Sequence, residues 1–121
     1  MRATSEASLA AATTRFAPVL GAAGAGSLEL GEQLFAVVDA LDGSTSLRRA
    51  LTDPTRSSEA KAQLAENLLG SQVNADVVAL VAGLARSRWS DDRDLAEALE
   101  ETGTTAVLAA AESRGELLRV E

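Results

Sequence analysis

At 121 residues, 46% hydrophobic and 24% charged, the chain is the size of one globular domain, with no shift in composition that would split it. It has no histidine, cysteine or tyrosine, which removes the commonest general base, the thiol nucleophile and the soft metal ligands, and leaves carboxylates, hydroxyls and one lysine, Lys61, for chemistry. A net charge of −7 argues against a nucleic-acid backbone as partner, because counterion release needs clustered Lys and Arg.

No apolar run approaches the roughly 20 residues that span a bilayer, and the opening MRATSEASLAAA lacks a signal peptide's uninterrupted apolar core. The expectation is a soluble, intracellular protein. Aromatic residues make up 2%, alanine is abundant and alternating β-branched runs are missing, so helix is expected throughout. A first helix is predicted over Ser5 to Ala23, with Leu9, Ala12, Phe16, Val19 and Ala23 at three- and four-residue spacing. Pro18 falls inside it and should bend it near Thr14 and Arg15. Gly24 to Gly26 read as a stop and Ser27 as the next N-cap. The second helix, Leu28 to Leu41, places Leu30, Leu34, Val37, Val38 and Leu41 on one side, an amphipathic pattern that packs on a core.

Val38 to Thr45, VDALDGST, resembles the D-P-I/L-D-G-S/T signature of metal-dependent sugar and inositol phosphatases. Ala40 stands where that signature has proline, and the signature belongs at the end of a strand in chains about twice this long. A helix end explains the stretch better: Gly43 in the left-handed conformation stops the second helix and Ser44 caps the third. That third helix, Thr45 to Thr52, ends at Asp53-Pro54, since proline disfavours helix at the residue before it. Ser57 or Ser58 caps a fourth, expected to bury Leu64, Leu68 and Leu69 and to end at Gly70. Asn74 caps a fifth, Ala75 to Arg88, whose apolar arc is broad enough to touch structure on two sides. Ser90 begins a sixth that reaches about Ser113, with Asp91 and Asp92 complementing its dipole. Six helices joined by short turns make an all-α bundle.

Other chemistry is thin. Asp39 and Asp42 are too few to fill a calcium or magnesium shell. Gly21, Gly24 and Gly26 have neither the preceding strand nor the following lysine of a phosphate loop. Arg86 and Arg88 read as charges at a helix C-terminus or as a partner contact. Trp89 reads as an inter-helix wedge rather than a ligand platform. No catalytic, metal or cofactor-binding set is expected. From Val107 onward the chain echoes the stretch that begins at Val19. Either a second copy of one helical unit starts in about 104–121 and leads into the rest of a longer subunit, or two Ala/Leu/Glu-rich helices coincide.

Gly31 to Leu41 (GEQLFAVVDAL), Leu47 to Pro54 (LRRALTDP) and Ser58 to Gly70 (SEAKAQLAENLLG) together resemble the delta subunit of F-type ATP synthases, the oligomycin-sensitivity-conferring protein of mitochondria. Arg88 to Leu95 (RWSDDRDL) and Arg114 to Glu121 (RGELLRVE) further resemble the long delta subunits of actinobacteria. The resemblance implies the N-terminal six-helix domain of that family. It also implies a non-catalytic stator role on the cytoplasmic face of the membrane, joining the catalytic head to the b subunit of the peripheral stalk through later parts of the subunit. It implies a groove between the first and fifth helices that takes the amphipathic N-terminal helix of an alpha subunit. Here that groove would be lined by Ala12, Phe16 and Val19 on one side and by Val78, Ala82 and Ala85 on the other.

Overall fold

The computed structural model describes residues 3–119. Among them, six α-helices follow one another: α1 (Ala3–Ala23), α2 (Ser27–Asp42), α3 (Thr45–Thr52), α4 (Ser58–Leu69), α5 (Ala75–Arg86) and α6 (Asp92–Arg119), with a single 3-10 turn, Gly24–Gly26, between the first two. The described chain is an all-α bundle. Residues 120–121, the end of the expected echo, lie outside the described residues.

Hydroxyl and amide caps start the middle helices as expected. Ser44 Oγ accepts from the Leu47 amide at 3.1 Å, Ser57 Oγ from Ala60 at 3.1 Å and Asn74 Oδ1 from Asp76 at 2.8 Å. Ser27 does something else. It is the first residue of α2, its cap position is held by Gly26 without a side-chain bond, and its buried hydroxyl donates to the Leu20 carbonyl at 3.2 Å. That bond ties α2 back to α1, and the reversal between them is made at Gly24, with φ of 55°. Gly43 closes α2 in the right-handed region, φ −79°, rather than the left-handed one, because α3 follows at once: the Ser44 amide takes the Leu41 carbonyl, and Arg48 adds a second bond there and takes the Asp42 carbonyl. Its Nη1 donates to the Leu41 and Asp42 carbonyls, Nη2 to Thr45 Oγ1, and Nε to Asp92 Oδ2 at 3.2 Å. One buried guanidinium thus closes the end of α2 and holds the start of α6.

Pro18 sits inside α1, yet the helix runs on to Ala23. Thr14, whose carbonyl the missing Pro18 N–H would have met, is exposed, so water can take that bond. Helix α5 stops at Arg86, two residues short of expectation, where Ser87 turns extended. Helix α6 starts at Asp92, with Asp91 Oδ1 accepting from the Arg93 amide at 2.9 Å, and runs beyond Ser113 to Arg119.

The core joins Leu34, Leu41, Val77, Val81, Leu84, Leu95 and Leu99, all fully buried, into one cluster. Its most extensive helix pair is α2 on α6, and two glycines make that approach. A Cβ on Gly31 would lie 2.9 Å from Val107 Cγ2 and 3.0 Å from the Gly103 carbonyl oxygen, and one on Gly103 would meet the Phe35 ring at 3.3 Å. In α4 the buried face is Lys61, Ala62 and Ala65, with Leu64 and Leu69 half-buried and Leu68 42% exposed. Alanine lets α4 lie close on α5, and a face built of small residues turns Leu68 outward.

Candidate functional site

Between α1 and α5 runs an apolar cleft of about 180 Å³. Four residues of α1 line it, Ala12, Arg15, Phe16 and Val19; from α5 come Asp76, Ala79, Leu80, Gly83 and Leu84. The α5 set recurs at three- and four-residue spacing, which is one face of a helix. Ala12 and Phe16, both nearly buried, form the floor, while Arg15, Asp76 and Ala79 are exposed at the rim.

Of the six residues expected to line a groove here, Ala12, Phe16 and Val19 do so and Val78, Ala82 and Ala85 do not. At about 100° per residue, those three project from roughly the opposite side of α5. Ala82 and Ala85 are fully buried inside the bundle, and Val78 is half-buried outside the cleft. Helix α5 is apolar nearly all round, so hydrophobic periodicity does not say which face opens on α1. The usable signal was Ala79 with Gly83, small residues one turn apart on the side that also carries Asp76.

The Arg15 guanidinium lies over Gly83, where a Cβ would meet Arg15 Nη1 at 3.5 Å, an ordinary contact, and Arg15 Nε donates to the Ala11 carbonyl at 3.5 Å. The cleft therefore offers an apolar trough with a cation on the α1 rim and an anion on the α5 rim. Its volume is below the roughly 300–1,000 Å³ usual for small-molecule pockets, and it suits a few side chains projecting from a partner segment.

The other residues raised by the sequence are placed as follows. Asp39 and Asp42 are exposed, and among the described residues no three acidic side chains are grouped to hold a metal ion. In the VDALDGST stretch, Ser44 caps α3 and Thr45 Oγ1 takes a bond from Arg48. Trp89 packs against the core and donates its indole N–H to the Leu84 carbonyl at 2.8 Å.

No family model matches the chain. Curated relatives do. Over all 121 residues it is 65% identical to ATP synthase subunit delta of Beutenbergia cavernae, 45% of which it covers. Over the same span it is 47% identical to ATP synthase subunit delta of Streptomyces coelicolor, covering 44% of that protein, and 46% identical to that of Streptomyces griseus, covering 45%. The chain spans less than half the length of these relatives. By its sequence, this chain belongs with the N-terminal part of the actinobacterial ATP synthase delta subunits.

Proposed function

We propose that the chain is a non-catalytic part of the stator of an F-type ATP synthase, helping to join the catalytic head to the peripheral stalk during proton-driven ATP synthesis. The observation that carries this reading is 65% identity over the whole chain to a delta subunit, and the cleft supports a docking role within it. Its occupant in this reading is the amphipathic N-terminal helix of an alpha subunit. Laid along α1 and α5, such a helix would seat apolar side chains over Phe16, Ala79 and Leu80 and set its flanking charges by Arg15 and Asp76. Ala79 and Gly83 allow a close backbone approach. Contact with the b subunit belongs to the portion of the longer subunit that this chain does not span. The complex would place the chain peripherally at the cytoplasmic face of the membrane. None of the described helices is long and apolar enough to cross one.

The test is calorimetric titration with the alpha subunit's N-terminal peptide. Saturable binding that Ala79→Asp abolishes, with helix content retained, is expected. No binding up to roughly millimolar peptide, about −4 kcal/mol, would remove the cleft assignment. Equal binding of an unrelated amphipathic peptide would replace it with a general helix-binding adaptor.

A further inference from the structure

A second cavity, of about 620 Å³, opens where the α3–α4 and α5–α6 connections meet the start of α1. Its lining carries four cations, Arg56, Lys61, Arg86 and Arg88, and no carboxylate. In a chain with 11 basic and 18 acidic residues, four converging cations with no acid among them need a reason.

Two of the four are partly answered at the surface, Arg56 by Asp53 at 3.7 Å and Arg86 by the well-exposed Glu59 at 3.3 Å. Arg88 has no ion pair among the described residues. Lys61 is the informative one. It is only 5% exposed, and its ammonium donates to a single acceptor, the Ser87 carbonyl, at 3.3 Å. A lysine ammonium has three donors, so two remain unmet among the described residues. A buried charge held this way is costly unless something else answers it. Burial pushes its pKa down, Asp53 pulls it partly back up, and Arg88 adds a smaller downward push.

The backbone adds donors at the same place. The start of the 12-residue helix α4 faces the cavity with Ser57 and Ser58. Ser57 takes the Ala60 and Lys61 amides, which leaves the Ser58 and Glu59 N–H groups without an acceptor among the described residues, as the first helical amides are by construction. Helix N-termini with that geometry receive oxyanions. Arginine forks and hydroxyls complete a donor set suited to tetrahedral oxygens, and Trp89 supplies an apolar wall beside it.

We propose that this cavity is a binding site for the phosphate group of a small soluble molecule, held by Lys61, Arg88 and the N-terminus of α4. It is separate from the α1–α5 cleft and does not depend on what occupies that cleft. Its volume lies within the range of small-molecule sites, and a buried Lys61 at its base with exposed arginines around it suits a compact anion better than a flat membrane surface or an acidic helix.

The single tryptophan stands on the cavity wall and serves as reporter. The chain is titrated with sodium phosphate against sodium chloride at matched ionic strength, and Trp89 fluorescence and melting temperature are followed. A saturable fluorescence change with a rising melting temperature is expected. Arg88→Gln, at an exposed position that leaves folding intact, should weaken it ~10-fold or more, the scale of a lost charge-assisted hydrogen bond. Lys61→Met should do the same, and Arg93→Gln, outside the cavity, should change nothing. A response that chloride reproduces, or one that Arg88→Gln and Lys61→Met both retain in full, would overturn the proposal. So would saturable binding of an oligoglutamate peptide, or of phosphatidylglycerol vesicles, in the absence of any response to phosphate.

Discussion

Arg48 shows what a single side chain does here that its exposed neighbour Arg49 does not. It closes α2 by binding two of its last carbonyls, and it holds Asp92 at the start of α6. Arg48→Met leaves the Asp42 carbonyl and a half-buried carboxylate unanswered and the Leu41 carbonyl with the Ser44 amide alone, and should cost about 3 kcal/mol in urea unfolding. Lys61 should behave in the opposite sense. Its folded pKa lies below the ordinary 10.5, chiefly through burial, so the folded chain gives up that proton first as pH rises. The unfolded chain then holds more protons in the window just below 10.5, and stability contributed by this group increases with pH across it. Lys61→Met is expected to raise stability by about 1 kcal/mol at neutral pH, with a smaller gain near pH 10, where the parent's ammonium is already partly neutral. Caps were legible at this scale because Ser44, Ser57 and Asn74 need only their local backbone. Ser27 was not, because its partner is the Leu20 carbonyl on another helix, and a distant acceptor leaves no mark in the sequence.

Helices were read well where a local signal ended them, and less well where packing did. The Asp53-Pro54 stop set the end of α3, and α3 spans Thr45–Thr52 as its sequence predicts. Faces were harder. In α5 seven of twelve residues are buried, so its orientation depends on neighbours, and the side toward α1 proved to be Ala79 and Gly83 rather than Val78, Ala82 and Ala85. In α4 the leucines suggested the buried face, but alanine and the Lys61 stem fill it. Leu68→Gln should therefore change stability by no more than about 0.5 kcal/mol. Gly31→Ala should cost about 2 kcal/mol despite the better helix propensity of alanine, because the new methyl meets the Gly103 carbonyl oxygen at 3.0 Å as well as Val107. Thermal melts of the two variants side by side would check both numbers. Isolated glycine in a helical stretch was the available hint for this pair, but Gly31 lies 72 positions from Gly103, and nothing local announces that they meet.

At the level of the whole chain, composition and periodicity were enough for an all-α bundle, because every helix carries an apolar face and no segment alternates. They did not reveal that two connections and the start of α1 converge on a basic cavity, which depends on how separate helices dock. The described residues share one continuous core cluster. Unfolding should accordingly be a single transition, with urea midpoints from Trp89 fluorescence and from helical circular dichroism coinciding; separated midpoints would divide the bundle into independent units. The α2–α6 crossing has a further consequence, and it is mechanical. Where two helices touch through long side chains, a sideways load is absorbed by rotamers that give. Here Gly31 lies against the backbone of Gly103, with Val107 and the Phe35 ring set close on either side, and sliding by one residue, about 1.5 Å, would drive a β-carbon into a space that holds none. The crossing acts as a rivet: it resists shear along either helix, so a load on α6 passes to α2 through backbone contact rather than through yielding side chains.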